Sequence, residues 1–331
     1  MKSLVTIGGG TGQFTLLSGL KKYPVRLTSI VSMADDGGST GMLRDELGVL
    51  PPGDVRQCLV ALSEADGIMR DLFNYRYDNG GLKGHNFGNI FLSSLEKITG
   101  SFEEAVRVAG LVLAIRGEVM PVTTAKVTLV CGKEKVLQGQ YAIEQARIEP
   151  ERASIRLEPE SYANPKAVAA IESADCIVLG PGNLYCSIIP NLLVRGIPEA
   201  IGRSGAKVVY NCNLMTKAGH NDGFNVLDFV GEIERYIGKG RVDFVTYNNH
   251  LPEKELVERY ALEGEFPVAV GDIEEEFADV SFRPLPADLV SRASFVRKVG
   301  DPIMLSLIRH NPDGLAALIM QKTLGNAFHI R

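Results

Sequence analysis

Leu4-Val5-Thr6-Ile7-Gly8-Gly9-Gly10-Thr11-Gly12 is the stretch on which the fold turns. Leu4 to Ile7 is an apolar run of strand length and predicts a short buried strand. Beyond the glycines, Phe14, Leu17 and Leu20 recur at helical spacing, and Thr11 is placed to cap that helix. The glycines therefore lie between a strand and a helix N-terminus. Without side chains they let a ligand approach the backbone, and the helix end offers unpaired N–H groups and partial positive charge. Such a junction suits an anion, most often phosphate; a tight turn with no ligand is the plainer reading. Neither common fingerprint fits fully. The dinucleotide pattern counted from Gly8 needs glycine where Gln13 stands, and no G-x-x-x-x-G-K-[ST] is present.

Working outward, strand-like and helix-like stretches alternate. This predicts an α/β, Rossmann-like, mostly parallel sheet with helices on both faces. Strands are expected at 4–7, 27–31, 175–179, 207–210, 242–246 and 303–308. A helix is expected over 102–116, and another after Arg309. Around 122–160 the period changes to alternation, which predicts a small antiparallel hairpin elaboration of one domain spanning 1–331. Residues 252–300 read least clearly, and Glu274-Glu275-Glu276 reads as a solvated face.

The expected strands end in small, amide or charged residues: Gly10, Asp36, Gly182, Asn213, Asn248 and Arg309. In open α/β sheets ligands bind outside the carboxyl ends of the strands, so this one-sided collection favours a phosphate-containing ligand. Asp35-Asp36, before a run of small residues, suits a ribose hydroxyl or Mg²⁺, or else a solvated turn. Asp54 is placed to cap a helix from Val55 to about Ser63, and Arg44 and Arg56 read as surface residues or phosphate contacts. Asn86 and Asn89 crowd the first turn of another helix, where a ligand would meet N–H donors. His85 beside them has no Cys or His partner at metal spacing and reads as a structural hydrogen-bonder. Gly180-Pro181-Gly182-Asn183 is a second glycine turn at a strand end, with Ser187 placed to cap the helix that follows.

The net charge of −5 argues against a broad nucleic-acid or anionic-membrane surface. No run of 18 apolar residues exists, and the first strand begins too near Met1 for a leader, so a cytoplasmic protein without membrane insertion is expected. Five scattered cysteines without C-x-x-C read as reduced, mostly buried thiols. No Ser-His-Asp order and no zinc signature is visible, so no catalytic residue is assigned.

Taken together, VTIGGGTG, ADDGGSTGMLR, LPPGDVRQCLVAL, GHNFGN, NPKAVAAIESADCIVLGPGN, SIIPNLLVRGI and NCNLMTKAG resemble the YvcK-type gluconeogenesis factors. These belong to the CofD-like family, related to 2-phospho-L-lactate transferase. The resemblance covers most of the chain and implies a Rossmann-like fold with a nucleotide-diphosphate site. For the YvcK branch it implies a UDP-N-acetylglucosamine or UDP-glucose ligand, with no established reaction. It also implies a role in cell shape and wall homeostasis on gluconeogenic carbon sources. For the transferase branch it implies Mg²⁺-dependent transfer of a phospholactyl group from a guanosine diphosphate-linked donor to a deazaflavin alcohol.

Residue by residue, the resemblance puts Gly9, Gly10, Thr11 and Gly12 against the diphosphate. Asp36 and Asp54 become ribose or metal contacts, with Asp35, Asp36 and Asp54 holding Mg²⁺ in a transferase. Gly182, Asn183 and Ser187 line the nucleotide pocket opposite Asn213, Met215 and Thr216, and Arg309 meets the phosphates. Lys217-Ala218, His220-Asn221, Asn183, Cys186 and Asn311 depart from the commoner family text and bear on which sugar is bound. A nicotinamide oxidoreductase is disfavoured by Gln13. The helix after Arg309 suits either contacts in a homo-oligomer or ordinary packing.

Overall fold

The computed structural model describes residues 1–149, 151–270, 280–292 and 307–325. Among the described residues, seven parallel strands form the main sheet. In chain order they are β1 (Ser3–Gly8), β2 (Arg26–Val31), β3 (Glu118–Pro121), β7 (Cys176–Leu179), β8 (Lys207–Asn211), β9 (Phe244–Asn248) and β10 (Arg283–Ala287). Between β3 and β7 the chain makes a three-stranded antiparallel sheet of β4 (Thr128–Cys131), β5 (Leu137–Gln138) and β6 (Arg156–Glu158), with β4 in the middle. The expected α/β class, with helices on both faces and a small antiparallel elaboration, is what the chain forms.

The main sheet runs β10-β9-β8-β7-β1-β2-β3. Ile7 pairs with Ile30 of β2 on one side and Leu179 of β7 on the other. The central strands are continuous apolar runs because both faces are covered, and Leu4, Ile7, Ile30, Val178 and Val208 are fully buried. Helix α1 (Gly10–Leu20) packs on α3 (Gly53–Leu62) and on the C-terminal helix Pro312–Ile319. That last helix buries Leu315, Ala316 and Ile319.

Several expectations are corrected in detail. The helix begun at Phe102 ends at Val112, not Arg116. Within the antiparallel elaboration expected around 122–160, one strand is only Leu137–Gln138, because Gly139 (φ 95°) turns the chain into a short helix, α7 (Gln140–Glu144). β3 and β10 were not expected; both hold proline and lie at the two edges of the sheet, where proline is tolerated and the strand signal is weak. Of the strand expected at 303–308, residues 303–306 lie outside the described residues, as does Glu274-Glu275-Glu276.

Candidate functional site: a crevice at the switch point of the sheet

β1 is flanked by β2 and β7, so the chain leaves it toward opposite edges of the sheet. With the antiparallel insertion set aside, this is the doubly wound strand order, and its ligand crevice lies at this switch point. Both strands that frame the crevice end in glycine turns. Gly9 is the N-cap of α1 and Gly10 starts the helix with φ 64°. Thr11 therefore sits inside the first turn rather than at the cap, and its carbonyl accepts from Thr15 Oγ1 at 3.0 Å. Gly12 packs so closely on the second turn that a Cβ there would collide with the Pro181 carbonyl. The two turns are thus in contact across the crevice. Gln13, standing where the dinucleotide pattern has glycine, is fully buried and donates to Thr6 Oγ1 and Ser29 Oγ beneath the turn.

Acidic side chains gather behind the first turn. Asp54 does not cap α3: Pro52 holds that position, and Asp54 lies in the first helical turn. Its carboxylate instead takes the Gly10 N–H and presses on Gly9, where a Cβ would strike Oδ2. Burial, and next the charge of Asp35, push its pKa up to about 8. Asp35 is raised as well, chiefly by burial, although its Oδ1 accepts the Gly37 N–H at 3.0 Å. Asp36 turns the other way and caps α7, accepting the Tyr141 N–H at 2.8 Å. Glu144, at the far end of that helix, receives a hydrogen bond from the Asn183 side chain, and its pKa is raised by burial. Among the described residues no three His, Cys, Asp or Glu side chains converge as a metal site.

The opposite wall comes from the ends of β7 and β8. Asn183, not Ser187, caps the helical turn that follows, its Oδ1 accepting from Tyr185 and Cys186 N–H at 3.2 Å each. Ser187 is buried within that turn and faces Gly10 and Gly182. Asn213 Nδ2 donates to the Gly182 carbonyl at 2.9 Å, tying the β8 loop to the glycine turn. Thr216 is spent on the backbone of Phe266, donating to its carbonyl and accepting its N–H. An open cleft of about 850 Å³ lies between these walls; Thr11, Gly12, Gly182, Asn183, Asn213, Met215, Thr216 and Arg309 line it.

The cleft also holds residues that the sequence did not single out as site residues. Lys217 Nζ pairs with Glu265 Oε1 at 2.9 Å. Burial works against the Lys217 charge, but the Glu265 and Glu144 carboxylates outweigh it and raise the pKa. Asn221 and Tyr260 add polar surface. His310 lines the cleft with Nε2 at 3.2 Å from the Cys212 carbonyl; burial lowers its pKa to about 4, so it is a neutral donor. No short motif marks Glu265 or Tyr260, which lie far along the chain from the glycine turns.

Asn86, Asn89 and Arg56 form a different group. Asn86 caps α5 (Phe87–Thr99) by accepting the Asn89 N–H. Asn89 Oδ1 accepts from Arg56 Nε at 3.0 Å, and Arg56 Nη1 donates to Asn74 Oδ1 at 2.6 Å. All three are buried and none lines the cleft. Their residue types suggested a ligand because cap chemistry and anion-site chemistry use the same groups.

The strand order and the paired glycine turns define a Rossmann-like α/β protein with a backbone-lined crevice at its switch point. The chain belongs to the 2-phospho-L-lactate transferase CofD family, whose model matches residues 4–290. It is 41% identical to the gluconeogenesis factor of Bacillus subtilis over 276 residues, covering 82% of this chain and 86% of that one. With the gluconeogenesis factor of Listeria innocua it shares 38% identity over 325 residues, 94% of this chain and 96% of the relative. A crystal structure of a Bacillus halodurans protein superposes with a TM-score of 0.87 at 37% identity, covering 96% of this chain and 99% of that chain. Among the described residues no helix is long and apolar enough to cross a membrane.

Proposed function

We propose that this chain binds a nucleotide-diphosphate sugar, UDP-N-acetylglucosamine or UDP-glucose, and acts as a regulator during growth on gluconeogenic carbon sources. Cell shape and wall homeostasis would be the processes regulated. The observation that carries this reading is the contact of Gly12 with the Pro181 carbonyl, which sets two glycine-rich turns side by side at the switch point. Helix N–H groups there meet phosphate oxygens, while Lys217, Asn221 and Asn183 offer charge and hydrogen bonds to the rest of the ligand. The gluconeogenesis factors to which the chain is similar supply the physiological setting.

A second reading rests on Asp35 and Asp54. Two buried carboxylates with raised pKa values, that of Asp54 in part through the charge of Asp35, beside a phosphate seat are a donor set that fits Mg²⁺, a hard cation that takes one or two carboxylates along with phosphate. Asp35 and Asp54 would hold the ion, and Asp36 would keep α7 in place. Bound there, Mg²⁺ would neutralise phosphate charge during transfer of a phosphorus-containing group.

A thermal-shift panel with UDP-N-acetylglucosamine, UDP-glucose, GDP, GTP and NAD, with and without Mg²⁺, tests both readings. A ligand at 100 times its dissociation constant adds about 2.7 kcal/mol of stability. A Mg²⁺-independent shift with a UDP-sugar and no product supports the regulator. A guanosine-nucleotide shift that needs Mg²⁺ supports the transferase. No shift with any of them overturns the nucleotide-diphosphate proposal.

A further inference from the structure

Asn213 and Leu214, which follow β8, belong to two hollows. On one side is the cleft already described. On the other, at the carboxyl ends of β8 and β9, lies a hollow of about 600 Å³. Their linings differ in kind. The first carries Lys217, Glu265 and Asn221 beside the glycine turns, which suits phosphates and sugar hydroxyls. The second has apolar walls of Leu214, Val226, Val268 and Val270, with Asn249 and His250 among its few polar residues. An apolar slot with a few placed polar groups suits a flat ring with a hydrogen-bonding edge.

The polar pair is held in a defined arrangement. The Asn249 N–H donates to the Ala287 carbonyl at 3.1 Å, which fixes the loop to the end of β10. Asn248 reaches forward to the His250 carbonyl and accepts the Leu289 N–H at 3.0 Å. His250 Nδ1 is 2.7 Å from Asn249 Oδ1. An amide oxygen only accepts, so Nδ1 donates this bond and Nε2 is left to a ligand. The Asn249 amide supplies a donor close by. Two adjacent hydrogen-bonding side chains suit the polar edge of a base, such as the N–H next to a carbonyl that uracil and guanine present.

The spacing agrees with this division. β7 and β9 are two strand intervals apart, roughly 10 Å, a gap that a ribose spans between a diphosphate and a base. We infer that the hollow at the ends of β8 and β9 seats the heterocyclic base of the nucleotide, and that Asn249 and His250 read its edge. The assignment rests on the nucleotide-diphosphate reading above and adds which end of the ligand lies where.

The test is calorimetric titration of the full chain with inorganic pyrophosphate, UDP and UDP-glucose, comparing wild type with Asn249→Ala and His250→Ala. Both side chains are on the surface and both variants keep the backbone bonds of the loop, so both fold. Each variant should bind UDP and UDP-glucose about tenfold more weakly, as losing one hydrogen bond to a bound ring does, and bind pyrophosphate as wild type does. UDP affinity unchanged in both variants overturns the assignment. So does a loss confined to UDP-glucose, which would put the sugar in this hollow, or a loss shared equally by pyrophosphate. A wild-type chain that binds none of the three removes the nucleotide-diphosphate reading itself, and the assignment with it.

Discussion

The Asp54 carboxylate lies against Gly9 so closely that a Cβ on the glycine would overlap Oδ2. Gly9 has φ −171°, an extended conformation open to any residue, so the need for glycine here comes from that contact and not from backbone strain. The same carboxylate holds the Gly10 N–H. The first glycine turn is therefore shaped by a side chain more than forty positions away in the sequence.

Gly9→Ala should displace Asp54 and disturb the first glycine turn, at a cost of about 1–3 kcal/mol from overpacking. In an Asp54→Ala background the collision partner is gone, and the same substitution should cost far less. A double-mutant cycle followed by denaturant unfolding measures this. Additive effects of the two changes would show that the contact does not govern the position.

The raised pKa of Asp54 gives the protein a pH-dependent stability. In the unfolded chain the carboxyl ionises near its ordinary value of 3.8, whereas in the folded chain it keeps its proton up to about 8. Between these limits the folded state binds more protons than the unfolded state, so stability falls as pH rises and levels off above about 8. Asp54→Asn removes the buried charge and should flatten this fall, leaving the variant more stable than wild type at pH 8. Melting temperatures at pH 5 and pH 8 decide the matter; parallel changes in the two proteins would contradict it.

Arg56 is a structural cation. Arg56→Ala leaves the Asn89 and Asn74 amide oxygens without their donor and should destabilise the fold by about 2–4 kcal/mol. Arg56→Lys should recover little, because an ammonium lacks the planar fork that serves both amides. At temperatures where each variant remains folded, UDP-glucose affinity should match wild type. A selective loss of affinity with normal stability would place Arg56 at the ligand instead.

Lys217 is the cation that the β8 loop brings to the cleft, held there by Glu265. Lys217→Gln should weaken UDP-glucose binding about tenfold and reduce its dependence on salt, since a screened charge contact has been lost. Titrations at two ionic strengths separate this from a packing effect, which would lower affinity equally at both.

Sequence by itself determined the class of fold and the two glycine turns that meet at the switch point. β1, β2, β7 and β8 were legible because strands buried on both faces must be apolar throughout, and the glycine turns because only glycine lets two backbones approach as Gly12 and Pro181 do. The edge strands β3 and β10 escaped notice: an edge needs fewer ladder bonds, so it admits proline and loses the strand pattern. Tertiary structure alone decided what the polar residues do. Asn86, Asn89 and Arg56 resemble ligand contacts in composition, yet they satisfy one another and two helix ends. Asp54 was placed to cap its own helix and instead reaches the turn after β1. Hydrogen-bonding groups are the same whether their partner is a ligand, a helix end or a distant loop. Which partner they meet depends on contacts that only the packed sheet brings together, as it also brings Lys217 to Glu265 and Asn249 to the end of β10.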